Sequence, residues 1–168
     1  MTGPGKGEVM WNQIVIIGNI CLAFILGGAI GFERETASKP AGFRTHMLVA
    51  GAAAFLINLG QPLLDRFGTT GAAGWLRADP IRLFEAIITA VAFICAGTIL
   101  RRGEDRVEGL TTAASILMSG VIGISVALDQ YVLAVAITLL TLFSLRLMRF
   151  VEKRLGYKKD TKGGSEKD

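Results

Sequence analysis

Residues 12–32 read NQIVIIGNICLAFILGGAIGF, twenty-one residues without a charged side chain. As an α-helix rising 1.5 Å per residue they extend roughly 30 Å, the thickness of a bilayer's hydrocarbon core. A soluble helix keeps a polar stripe toward water, and this one has none to offer. Four further windows behave alike: 46–64, 83–100, 109–128 and 130–145. The five windows together hold one charged residue, Glu85, in a chain that is 19% charged overall. The pattern predicts an all-α fold, a polytopic membrane bundle of about five transmembrane helices near 12–32, 46–64, 81–100, 110–128 and 131–151. Residues 1–11 form an outer N-terminal segment and residues 152–168 a basic cytoplasmic tail.

Composition excludes the soluble alternatives. With 51% hydrophobic residues and a mean hydropathy of +0.50, a 168-residue chain cannot hide five such stretches in one water-soluble domain. The net charge of +4 and pI near 9.3 do not point to a nucleic-acid ligand, because the basic excess sits after residue 145, beside the membrane. Cys21 and Cys95 both lie inside apolar windows, where a free thiol behaves as a small hydrophobe, so no disulfide framework is expected. The first apolar run is too long for a signal-peptide core and ends in Gly31-Phe32-Glu33-Arg34 rather than in a small-residue cleavage site, so it reads as a retained anchor.

Punctuation between the windows is clear. Pro40 and Gly42 interrupt the polar segment 33–45, Pro62 stands near the end of the second helix, and Asp79-Pro80 suits an N-cap followed by the first helical residue of the third. Arg101 and Arg102 are expected to close that helix, and 103–109 is a short charged connection. Five crossings place the chain ends on opposite sides, so the distribution of lysine and arginine tests orientation. With the N-terminus outside, 14 basic residues face the cytoplasm and four (Lys6, Arg66, Arg77 and Arg82) face outward, which predicts N-out, C-in.

Glu85 has two readings. It marks an ion or proton path, as intramembrane carboxylates do, or it is an interfacial carboxylate six residues past Asp79 with Arg82 at i−3. Arg82, Glu85, Thr89, Ala92 and Ala96 share one helical stripe whose small members predict close helix packing. Gly27 and Gly31 make a GxxxG step, and Ser115, Ser119 and Gly123 a second small-residue stripe; both predict a compact bundle, not an activity. Thr111, Thr112, Thr138 and Thr141 either line a polar path or bond the carbonyls of their own helix, the second being favoured.

Glu33-Arg34-Glu35 and Arg44-Thr45-His46 form the densest inner-surface cluster. A solvated loop with topology-setting cations accounts for it, and His46 reads as a boundary histidine because no second metal-binding side chain is near it in sequence. A hard-cation site would draw on Glu33, Glu35, Glu104, Asp105 and Glu108. Asp79 and Glu85 cannot join it, because the topology puts them on the other side of the bilayer. The chain carries no nucleophile elbow, metal-protease helix, Walker loop or dinucleotide fingerprint, and Thr45 beside His46 diverges from it on a helix. An enzyme is therefore not expected, nor is a cofactor, with Mg2+ entertained only as ligand or substrate.

The strings GGAIGFERE (27–35), KPAGFRTHMLVAGAAAF (39–55), DPIRLFEAI (79–87), AFICAGTILRR (92–102) and VEGLTTAASILMSGVIGI (107–124), in that order, resemble the MgtC/SapB family of bacterial inner-membrane proteins over about residues 23–140. Matched position by position, the resemblance directs attention to Gly31, Glu33, Arg34, Ala41, Gly42, Arg44, Thr45, Asp79, Pro80, Arg82, Gly97, Gly109, Leu110, Thr111 and Thr112. It departs at Cys95, where the family has a Gly-rich FLGAG-like stretch, which bears on the helix contact made there. The resemblance implies a role in magnesium homeostasis, and in some members in acid survival, intramacrophage growth and restraint of the proton-driven ATP synthase. Many members carry a soluble C-terminal domain. Only about 17 residues follow the last crossing here, so functions of that domain are not expected.

Two functions compete. One is a protein that moves or senses a cation, with Glu85, Asp79 and Arg82 at an outer vestibule and Glu33, Arg34 and Arg44 gating the inner end; a five-helix chain would then work as a homo-oligomer. The other is a non-transporting regulator that binds another membrane protein through its small-residue helix faces. In both the lipid bilayer is the first partner, and the basic tail can hold anionic lipid.

Overall fold

The computed structural model describes residues 5–68, 80–102 and 106–154. Asp79, Glu104, Asp105 and the tail from residue 155 lie outside the described residues. Five helices follow one another there: α1 (Lys6–Thr36), α2 (Phe43–Gly68), α3 (Pro80–Thr98), α4 (Leu110–Ala127) and α5 (Tyr131–Arg154). The first four each contain an apolar stretch of at least 18 residues, long enough to cross a bilayer, and α5 contributes the shorter apolar run Tyr131–Leu147.

α1 begins before its apolar window and outruns it, since nothing between Lys6 and Thr36 breaks a helix. Its C-terminus is closed by turn geometry, with Lys39 N–H on the Arg34 carbonyl at 3.0 Å and Ser38 in the left-handed region at φ 55°. α2 passes through Pro62 and continues to Gly68, farther than expected, because an imino nitrogen removes only one backbone donor and the rest of the helix bridges the gap. α3 opens on Pro80 as the sequence predicts.

The end of α3 departs from expectation. The helix stops at Thr98, and Arg101 and Arg102 lie in a small antiparallel hairpin, β1 (Leu100–Arg102) against β2 (Arg106–Glu108), in register Leu100↔Glu108 and Arg102↔Arg106. The strands satisfy backbone groups that a bare connection would leave unpaired. Gly109 ends the hairpin at φ 96°, where a Cβ would collide with the Thr98 carbonyl, so this turn demands glycine.

α4 is the central helix and touches all four others. Its neighbours supply a core of unusually small side chains: Ala23, Ala50, Ala54 and Ala134 pack around Ile30, Ile122 and Val126, while Val91 and Ile87 of α3 reach Val49, Ile116, Ala53 and Ile57. Small residues bring backbones together where lipid removes any hydrophobic drive for association. The surface is inverted relative to a soluble protein. Trp11, Ile25, Phe32, Phe93, Val132 and Phe143 are exposed, whereas Asn19, Glu33, Arg34, His46, Ser115 and Thr138 are buried. Apolar outside and polar inside is the arrangement a hydrocarbon solvent imposes.

Candidate functional site

Polar side chains gather at the end of the bundle where α1 finishes and α2 and α4 begin. Glu33 and Arg34 occupy the last turns of α1, where a cation is favoured by the helix dipole. Although consecutive in sequence they pair, Arg34 Nε donating to Glu33 Oε2 at 2.8 Å with both side chains only 3% exposed. One guanidinium nitrogen of Arg34, Nη1, is buried with no hydrogen-bond partner among the described residues.

His46 lies beside this pair, fully buried and close enough to feel both charges. Its Nδ1 is 2.9 Å from the Gly42 carbonyl and its Nε2 is 3.0 Å from Ser115 Oγ. A carbonyl only accepts, so Nδ1 carries the proton. In the neutral ring Nε2 can only accept, so the single Ser115 hydroxyl proton is shared between Nε2 and the Thr112 carbonyl at 2.8 Å, and Ser119 Oγ donates to the Ser115 carbonyl at 3.2 Å. Cys95 of α3 reaches the same level and donates its thiol to the Ala113 carbonyl at 3.1 Å.

Close approach makes the cluster possible. An added Cβ at Gly27 would lie 2.6 Å from Ala50 Cβ, and one at Gly31 2.7 Å from the Gly42 carbonyl, while Gly123 backs directly onto the Ala50 carbonyl. The GxxxG step of α1 and the small stripe of α4 therefore act as packing surfaces, as their spacing predicts. Ser119, Ser125 and Thr138 bond carbonyls one turn back on their own helices.

The expected site is only partly assembled. Glu33, Arg34, Thr112, Ser115 and Ser119 converge; Thr45 is half-buried, and Thr111 and Arg44 are exposed. Arg44 lines a shallow groove with Phe32, Glu35, Thr36, Phe43 and Met47, apart from the buried pair it was expected to join. Glu35 caps α2 instead of waiting for a cation, its Oε2 accepting the Phe43 N–H at 2.9 Å. Among the described residues no group of three or more His, Cys, Asp or Glu is placed to hold a metal.

The α3 stripe is a larger correction. Arg82, Glu85, Thr89, Ala92, Ala96 and Gly97 are all exposed, and a Cβ added at Gly97 would meet nothing within 4 Å. The small residues expected to make a close helix contact make none with the described residues, because Ile87 and Val91 on the opposite face meet α2 and α4.

Sequence reasoning missed a second polar cluster at the other end. Tyr131 Oη donates to Asn19 Oδ1 at 3.0 Å and lies 2.7 Å from Asp129 Oδ1, and Asn19 Nδ2 donates to Asp129 at 3.3 Å. The available signal was Asn19 itself, a lone amide in an apolar window. His46 was likewise a core residue, not a boundary one.

Comparison with known proteins places this arrangement. The MgtC family matches over residues 20–154. This chain belongs to the MgtC family. Among curated MgtC-like relatives, "Putative magnesium transporter YhiD" of Escherichia coli is 36% identical over 139 residues, covering 81% of this chain and 61% of that protein. Protein SapB of Bacillus subtilis is 33% identical over 135 residues (80% and 57%), and Protein MgtC of Salmonella typhimurium 34% over 138 residues (82% and 54%). The chain thus spans about three fifths of the length of the MgtC relatives it matches. No solved structure matches it.

Proposed function

We propose that the chain serves Mg2+ homeostasis in a bacterial inner membrane, oriented N-out and C-in, and that it does so by acting on another membrane-embedded protein rather than by conducting the ion through its own bundle. One observation carries the reading. Among the described residues the charges of the spans do not share a path: Glu33 and Arg34 pair inside the α1–α2–α4 core, while Arg82 and Glu85 face outward from α3, with Ile87 and Val91 between them and the interior. A conducted Mg2+ ion needs successive oxygen ligands, and a carboxylate already held by a guanidinium is a poor one. No enzymatic step and no cofactor belong to this proposal.

A second reading, transport, is favoured by the name of the Escherichia coli relative. It requires a path between copies, along the groove lined by Arg82, Glu85, Ala86, Thr89, Ala90 and Phe93. Reconstitution separates the two. Purified chain in vesicles that enclose a Mg2+-sensitive dye is expected to give Mg2+ entry no faster than empty vesicles. Protein-dependent entry that disappears in Glu85→Gln or Glu33→Gln would replace the regulator reading with the second.

A further inference from the structure

We propose that the outward face of α3 binds the same face of a second copy, in a parallel two-fold dimer held by two reciprocal Arg82–Glu85 ion pairs. The inference uses only the membrane placement of α3 and holds under either reading of function.

α3 meets the bundle through Ile87 and Val91, flanked by the half-buried Leu83, Phe84, Cys95 and Thr98, and its opposite face is open. On that surface Arg82 and Glu85 lie three residues apart in an otherwise apolar span. Neither forms an ion pair or hydrogen bond with a described residue, nor do they pair with each other. Glu85 sits five residues past Pro80, about 7.5 Å into the helix, and a carboxylate has too short a stem to reach the headgroups as a lysine does. Hydrocarbon is a poor neighbour for such a group, so the face is built to be covered.

A second copy fits it by charge. Both copies insert with the same orientation, so a two-fold axis along the membrane normal sets the two α3 helices side by side and parallel. Arg82 of each then stands about 4.5 Å along the axis from Glu85 of the other, a stagger that an arginine side chain spans. Both cations and both carboxylates are satisfied at once, with no residue left over. Shape agrees. Phe93 is 82% exposed and flanked by Ala90 and Gly97 at i−3 and i+4. A Cβ added at Gly97 would meet nothing within 4 Å, so its open backbone is free to receive a ring from the other copy.

The test is intermolecular disulfide formation at Thr89→Cys, in a chain whose native thiols are removed by Cys21→Ser and Cys95→Ala, reconstituted in lipid vesicles. The parent should cross-link as a dimer and keep doing so on dilution into excess lipid. Arg82→Glu and Glu85→Arg should each reduce the dimer by about tenfold or more, the scale of a close charge pair turned repulsive. Mixing the two variant chains should restore cross-linking, because each contact is again between opposite charges. Unfolding of each variant in detergent, expected to match the parent, shows that both chains are folded. Dimer yield insensitive to either reversal would overturn the proposal, as would folded variants whose mixture is not restored, or a parent that remains monomeric in vesicles.

Discussion

His46 on α2 and Ser115 on α4, 69 residues apart in sequence, meet with Nε2 and Oγ 3.0 Å apart, buried at the end of the bundle where α1 finishes and α2 begins. The contact ties together the helices whose close approach defines the core, and it ties them beside the Glu33–Arg34 pair. Ser115→Ala strands one imidazole nitrogen in the bundle interior, which costs about 1–3 kcal/mol. Ser119→Ala removes only a bond to its own helix and should cost less than about 1 kcal/mol. Thermal unfolding in detergent measures both; equal losses would show that helix geometry, not His46, is what Ser115 supports.

The Glu33–Arg34 pair predicts a coupling. Removing one partner leaves the other charge buried at 3% side-chain exposure, so Glu33→Gln and Arg34→Met should each destabilise by about 3–5 kcal/mol. The double variant should recover much of that loss, since two neutral groups need no mutual compensation. A double-mutant cycle in detergent reads the coupling energy directly, and additive losses would mean that the two side chains stabilise the fold separately.

Glycines on opposite faces of the bundle should behave oppositely. Gly31→Val and Gly123→Ala push a side chain into α2 backbone and should cost about 1–3 kcal/mol through overpacking. Gly97→Ala meets open space and improves helix propensity, so monomer stability should stay level or rise by up to about 1 kcal/mol. The unfolding midpoints of the three variants, measured side by side, decide whether GxxxG spacing or actual contact governs the cost.

Orientation is checked by reporter fusions. A periplasm-active reporter at residue 5 and a cytoplasm-active reporter after residue 154 should both be active, as 14 of 18 basic residues on the inner side require. Both reporters on one side would remove a crossing, with α5 the helix to lose, since its apolar run is the shortest of the five.

Hydropathy alone determined that this chain lives in a bilayer, how many helices it makes and where most of them begin, because the cost of placing charge in hydrocarbon is read residue by residue and needs no knowledge of neighbours. Packing steps at Gly27, Gly31, Ser115 and Gly123 were legible for a related reason, since helical spacing assigns residues to a face. Which face meets which helix was not. Glu33 and Arg34, adjacent in sequence, turned inward together, while Arg44 stayed out; Gly97, small and well spaced, is exposed and offers a Cβ open space. Those outcomes depend on the rotation of each helix about its own axis, a quantity set jointly by α1, α2 and α4 as they close around Ala50 and Ile122, and only the tertiary structure contains it.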